Sequence, residues 1–292
     1  MSWLPAVRAL PLGDIPAAYP QLRFAVRFAD GRYLEHDAGP PHPLAGTGKL
    51  WLACVVDAVA GRDPGLPGTT LTVTDRHRHA ARTGTLRLMS GDLRLSVEDA
   101  MGLILGTGDG ACVLALLELL AARGVVVLAE ARAVAADLGR GATVFTGVES
   151  DGGAGSSNAV SWGEGMLGQT NPADLCALLS GPVARSERML GWMRRTVEPA
   201  GLAGGLPGFG PRTVPHQTIA GGELLPTAGA GGADGEAGAP GCASVLVLPA
   251  GVVAAYHPSP QDGRRASGLE FSAALGTLGL AVWRRNTELT AG

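Results

Sequence analysis

The stretch at residues 49–60 constrains the fold most, because it is apolar on nearly every side and holds one acidic residue, Asp57. A helix that is apolar all round must be surrounded by other elements of the protein. Gly61 follows it, as expected for the end of a helix. At this length the segment cannot cross a bilayer, which needs about 20 residues. The sequence therefore predicts a central buried helix from about residue 47 and no membrane span.

Two hairpins are predicted near the two ends of the chain. Residues 22–28 alternate between apolar and other side chains, the period of a half-buried strand, and Asp30-Gly31 then forms a turn into a second strand. Residues 243–248 and 252–256 flank a second turn in the same manner. A capping pair, Ser267 and Glu270, then predicts a last helix that runs to about residue 285.

Helix signals dominate the middle of the chain. Ser96 with Asp99 resembles a capping box for a helix through residue 105, a Gly-rich turn follows, and residues 111–122 resume the helix. Asn171 and Ser186 are the cap residues of two further predicted helices. A helical region is therefore expected between the terminal hairpins.

These elements predict an α+β architecture: an antiparallel sheet with terminal helices, plus an all-helical lobe. We assign residues 1–60 and 200–292 to the α/β lobe and residues 61–199 to the helical lobe, within a single compact unit. A ligand cleft is expected between the lobes.

Charge and cysteine usage exclude several classes of protein. The net charge is −3, and no basic block is present that could neutralise a run of phosphates, so direct nucleic-acid binding is not expected. The four cysteines lack a C-x-x-C pair and a nearby histidine set, which argues for reduced thiols and against a metal site. No cofactor is implied. The first residues show no export signal, so a cytoplasmic location is expected.

Three short motifs carry a resemblance to a known family. They read Gly46-Thr47-Gly48-Lys49, Gly108-Asp109-Gly110 and His216-Gln217-Thr218-Ile219. Their order, with 62 residues from position 46 to 108 and 171 from 46 to 217, is similar to that of the S-x-x-K, S-D-N and K-T-G motifs of penicillin-recognising serine enzymes. The chain resembles the class A β-lactamases and penicillin-recognising serine enzymes as a catalytically degenerate member, and in particular the BlaB-type β-lactamase regulatory proteins. The resemblance implies a β-lactamase/transpeptidase-like fold.

The same resemblance implies that the family's chemistry is lost. Gly46 stands where the family has its nucleophilic serine, and Thr47 is two residues from Lys49, which puts the two side chains on different helix faces. Gly108 and Gln217 stand where the family relays a proton and attracts a substrate carboxylate. We therefore expect no serine-type enzyme.

The remaining polar residues at the motif positions are candidates for ligand contact: Lys49, Asp109, His216, Gln217 and Thr218. Two alternatives stay open. Lys49 is also explained as a buried structural cation, and Asp109 as a residue that closes the turn between two helices by local hydrogen bonds.

Three functions are compatible with the sequence. The first is a non-hydrolytic regulatory or ligand-sensing protein that binds a β-lactam or peptidoglycan fragment and acts on a regulatory protein partner. The second is a residual, serine-independent hydrolase such as an esterase or amidase. The third is an assembly partner that uses the fold as a contact surface.

Overall fold

The structure is a computed structural model, and it describes residues 7–81, 83–139, 141–148, 165–196, 202, 206, 214–218, 241–258 and 268–291. The chain divides into two compact units. The first comprises Met1–Pro43, Gln169–Ser180 and Pro199–Gly292, and the second comprises Leu44–Gly168 and Gly181–Glu198.

The elements are numbered in chain order. The strands are β1 (Arg23–Phe28), β2 (Tyr33–His36), β3 (His42–Pro43), β4 (Thr70–Val73), β5 (Leu93–Ser96), β6 (Val144–Val148), β7 (Met166–Thr170), β8 (Val214–Thr218), β9 (Gly241–Leu248) and β10 (Gly251–Pro258). The helices are α1 (Ile15–Ala18), α2 (Gly48–Arg62), α3 (Asp75–Ala80), α4 (Val97–Thr107), α5 (Gly110–Ala122), α6 (Val127–Asp137), α7 (Pro172–Leu178), α8 (Glu187–Met193) and α9 (Gly268–Ala291).

The first unit is built on a five-stranded antiparallel sheet in the order β2-β1-β10-β9-β8. Both predicted hairpins are confirmed, and they lie side by side because β1 pairs with β10, with Phe28 opposite Gly251. A side chain at Gly251 would lie 3.1 Å from the ring of Phe28, so the sheet packs closely at this turn. The α+β architecture predicted from the sequence is confirmed.

The core of this unit lies between the sheet and α9. Apolar side chains of both form one buried cluster, which includes Phe24, Val253, Leu275, Leu278 and Val282. The predicted end of the last helix at residue 285 is wrong, since α9 continues to Ala291. Arg285 pairs with Glu288 one turn later, an interaction between helical neighbours that favours the extra turns.

The second unit is mainly helical, and α2 is its buried centre. Eleven of the 15 residues of α2 are buried, which confirms the central helix predicted from its apolar sequence. Trp51 on α2 is fully buried and meets the ring of Phe145 edge to face, with the ring centroids 5.2 Å apart. Among the described residues no single helix is long and apolar enough to cross a bilayer. α5 and α6 together have the length and composition of a span, but the chain bends by 98° between them.

Sequence patterns did not predict α3, α6 or the short strands β4 to β6. α3 begins at Thr74 in a capping box whose second member is His77 rather than the usual glutamate, so the pattern is easily overlooked. α6 begins without any side-chain cap at Val126. The pair β4–β5 is only four residues long in each strand, too short to show a clear period.

Candidate functional site

The first motif lies where the chain enters α2. Gly46 is buried in a short 3-10 turn, Ala45–Thr47, that leads directly into the helix. The buried hydroxyl of Thr47 donates a hydrogen bond to the carbonyl oxygen of Leu44 at 2.5 Å. The hydroxyl of Thr47 is therefore bonded within the turn and is not available to replace the serine that the resemblance places at position 46.

The structure brings the first and second motifs together. Lys49 is 5% exposed, and its Nζ would lie 3.6 Å from a Cβ atom placed on Gly108. Gly108 itself ends α4 in the left-handed conformation with φ 69°, which favours glycine. The amine of Lys49 therefore lies close to the backbone of Gly108.

Asp109 is fully buried and forms the N-cap of α5. Its Oδ1 accepts a hydrogen bond from the backbone N–H of Cys112 at 3.1 Å, and its Oδ2 accepts one from the N–H of Leu86 at 2.8 Å. Both bonds hold the backbone in place, which is the turn-closing role considered for Asp109 in the sequence. Ligand contact by this carboxylate stays a prediction.

A segment that the sequence did not single out, residues 83–86, is attached to the second motif. Thr83 donates its hydroxyl proton to the carbonyl oxygen of Gly108 at 2.8 Å, and the N–H of Gly110 donates to the carbonyl oxygen of Thr83 at 3.2 Å. A Cβ on Gly84 would lie only 2.3 Å from Cα of Asp109, and its φ is 93°, so only glycine fits there. The partners are 25 to 27 residues apart in sequence, and no local pattern could have revealed them.

The third motif lies on β8, at one edge of the five-stranded sheet. In the register with β9, His216 lies opposite Val245, Gln217 opposite Ser244 and Thr218 opposite Ala243. The side chains of residues 214–218 lie outside the described residues. Their contact with a ligand stays a prediction.

Lys49 is the single lysine of the chain, and all other members of the 23 lysines and arginines are arginine. Lysine differs from arginine in carrying a compact amine that can lose its proton. The one such amine of this chain lies at the first motif, buried and beside Gly108.

The thiols near the motifs do not offer an alternative nucleophile. Cys112, whose N–H is bonded to Asp109, is buried, and burial together with the charge of Asp109 raises the pKa of its thiol. Burial likewise raises the pKa of Cys54 on α2, with a smaller contribution from Asp57. Because the thiolate is the reactive form, both cysteines are chemically inert at neutral pH. Three of the four cysteines, Cys54, Cys112 and Cys176, are free and buried, as the sequence predicted.

Comparisons with known proteins establish the fold. No protein-family model matches the chain. No curated protein matches it either. Among solved structures, a β-lactamase from Sphaerobacter thermophilus is similar over 97% of this chain and 98% of its own, with 15% identity and a TM-score of 0.67.

Two further structures give the same result. A class A β-lactamase from Mycobacterium abscessus covers 94% of this chain and 98% of its own at 15% identity, with a TM-score of 0.63. A structure of PBP-A covers 98% of this chain and 99% of its own at 17% identity, with a TM-score of 0.60. The chain therefore has a β-lactamase/transpeptidase-like fold, as the resemblance of its three motifs implied.

Proposed function

We propose that this chain is a non-hydrolytic protein that senses a ligand, and that the ligand is a β-lactam or a peptidoglycan fragment. The observation that carries the proposal is the meeting of Lys49 with Gly108 in the absence of a hydroxyl at positions 46 and 108. Such a site can bind, but it has no group that attacks a carbonyl carbon in the family's manner.

The lack of a nucleophile is the main reason to propose that the protein does not hydrolyse its ligand. Removing the nucleophile of a serine hydrolase costs about a million-fold in turnover. Thr47 is held by Leu44, and the thiol of Cys112 is protonated, so neither compensates for the loss. The strand that leads into Asn171, β7, carries no carboxylate that could activate a water molecule.

The retained lysine supports binding rather than a purely structural role. A structural cation on a helix can be arginine, and this chain uses arginine everywhere else. Gly108 is partly exposed while Lys49 behind it is buried, so a ligand that reaches the glycine comes within range of the amine. An anionic group of the ligand would be attracted to that amine in its charged form.

The single lysine also makes a sharp test possible, because labelling at Lys49 is read apart from labelling of the α-amino group. The purified protein is incubated with penicillins, cephalosporins and muropeptides, and binding is followed by calorimetry while intact-protein mass spectrometry detects any adduct. An amine-specific acetylating reagent is then applied, and the rate of labelling at Lys49 is measured with and without ligand. We expect binding heat, no mass increase from the ligand, and slower labelling of Lys49.

Variants separate a local role of the amine from a general effect of charge. Lys49→Met keeps the length of the side chain and should weaken binding at least tenfold. Arg62→Met removes an exposed positive charge from the other end of α2 and should leave affinity unchanged. A stoichiometric ligand adduct on any residue, or equal affinity in Lys49→Met and wild type, would overturn the proposal.

Two alternative functions differ in measurable ways. A residual hydrolase would turn over a chromogenic cephalosporin or an ester, and Lys49→Met would abolish that turnover. An assembly partner would bind none of these ligands. The cytoplasmic location expected from the sequence, and a regulatory protein partner that responds to the ligand-bound state, remain parts of this proposal. Signalling requires that the ligand prefer one of two states of the protein.

A further inference from the structure

His42 is a buried histidine that the candidate site does not use. It forms the first residue of β3, in the first unit, and lies opposite Thr170 of β7. Its side chain is 1% exposed and stacks flat on the ring of Tyr256, with the ring centroids 4.1 Å apart and the planes at 5°. The imidazole is thus enclosed between the short strand and the main sheet of its unit.

The hydrogen bonds of the ring fix which nitrogen carries the proton. Nδ1 lies 2.9 Å from the carbonyl oxygen of Pro43, and since a carbonyl only accepts, Nδ1 must donate. In the neutral ring Nε2 is then an acceptor without a proton. Among the described residues Nε2 has no hydrogen-bond partner. A second proton would therefore create a buried N–H group with nothing to bind.

The charged groups around His42 also oppose protonation. From β1, Arg23 contributes a positive charge that lowers the pKa of His42, and the guanidinium of Arg23 lies 3.1 Å from the carboxylate of Asp37. From β7 the neighbour is Thr170, which is uncharged, and from β10 it is Tyr256. The face of an aromatic ring attracts a cation, but by less than the cost of burying an unpaired charge.

We propose that His42 is an acid-sensitive latch, which keeps β3 paired with β7 only while the imidazole is neutral. β3 has two residues, so the histidine is half of the strand that it anchors. A protonated ring has to reach water, and to do so it must leave Tyr256 and take the backbone of β3 with it. The latch therefore opens locally, before the remainder of the unit unfolds.

The direction of the effect follows from the burial of the ring. The pKa of His42 is lowered from 6.5 to about 4. Burial is the main cause, the bond to Pro43 acts in the opposite direction, and the charge of Arg23 lowers the pKa as well. Because the pKa in the open chain is higher than in the closed one, the closed state is fully favoured above pH 6.5. It loses that advantage as the pH falls towards 4. The opening constant should rise by about two orders of magnitude over this range.

Two measurements on the wild-type protein without ligand test the latch. The nitrogen-15 resonances of the imidazole should show the Nδ1–H tautomer of His42 at pH 7 and no titration near pH 6.5. Hydrogen exchange at pH 7 and pH 4.5, corrected for the intrinsic rate, should show loss of protection in peptides covering residues 42–48 and 166–171. A peptide covering β1 should stay protected.

Variants assign the effect to this histidine. His42→Phe keeps a flat ring on Tyr256 but cannot be protonated, and it should keep residues 166–171 protected at pH 4.5. His36→Gln removes a histidine from β2, in the five-stranded sheet of the same unit, and should behave as wild type. A normal titration of His42 near pH 6.5, or equal acid-induced exchange in His42→Phe and wild type, would overturn the proposal. If His42→Phe does not fold, the titration of the wild-type ring decides alone.

Discussion

Asp109 and His42 are both buried polar side chains, and they differ in how completely their polar atoms are bonded. Each carboxylate oxygen of Asp109 accepts a backbone N–H, whereas one nitrogen of His42 has no partner among the described residues. A buried polar group that is fully bonded rigidifies its surroundings, while an incompletely bonded one leaves the structure sensitive to conditions. The β3–β7 pair should therefore respond to acid through His42, whereas the turn at residues 108–110 is held by a side chain whose two oxygens are both bonded to the backbone.

The largest effect is expected from removing the fully bonded group. Asp109→Ala leaves the N–H groups of Leu86 and Cys112 without acceptors inside the protein, which should cost about 3–5 kcal/mol of unfolding free energy. Urea unfolding at pH 7 measures it. Asp109→Asn retains one acceptor oxygen and should lose less unfolding free energy than Asp109→Ala. A loss below about 1 kcal/mol for the alanine variant would show that water replaces the carboxylate in this turn.

Acid should have the next largest effect. Between pH 7 and pH 4 the wild type should lose up to about 3 kcal/mol more stability than His42→Phe does, because only the wild type has the buried ring of His42 to protonate. At pH 7 the two proteins should differ by less than about 1.5 kcal/mol, as for other swaps of similar volume. Unfolding curves of both proteins, measured at several pH values, test this difference. An equal loss of stability in both proteins would contradict it.

The exposed helix cap at Ser96 shows how much burial adds to the stabilising effect of the cap at Asp109. Ser96 caps α4 by accepting the N–H of Asp99 at 3.0 Å, as Asp109 caps α5, but the serine bond lies at the surface. Ser96→Ala should cost about 1 kcal/mol, because water takes over the freed N–H group. Thermal unfolding of Ser96→Ala and of Asp109→Ala gives the two losses of stability to be compared. Equal losses would mean that burial adds nothing to the value of a cap.

The smallest effect is expected at an apolar side chain outside both regions. Leu88 lies two residues after Leu86, just beyond the segment of residues 83–86, and its side chain is 81% exposed. Leu88→Ser should change the unfolding free energy by less than about 0.5 kcal/mol, whereas the buried Leu86→Ser should cost several times more. A large loss at Leu88 would reveal a contact in solution that covers it.

Local sequence patterns predicted the elements whose signals are local. The alternation at residues 22–28, the cap signals at Ser96, Asn171 and Ser186, and the apolar helix α2 all correspond to observed elements. α3 and α6 were missed because their starts lack an ordinary cap, and α9 was placed too short because its last turns are polar and exposed. The order of the motifs was enough to predict the fold.

What the sequence determined by itself is that glycine stands at positions 46 and 108 and that the chain has a single lysine, since these depend only on which residue stands where. The tertiary structure decided what those residues meet: Lys49 beside Gly108, Asp109 on the N–H groups of Leu86 and Cys112, and His42 against Tyr256. The physical reason is that bonding and burial of a polar group are set by neighbours distant in sequence. Tyr256 is 214 residues from His42, and no local sequence pattern predicts that the two rings stack.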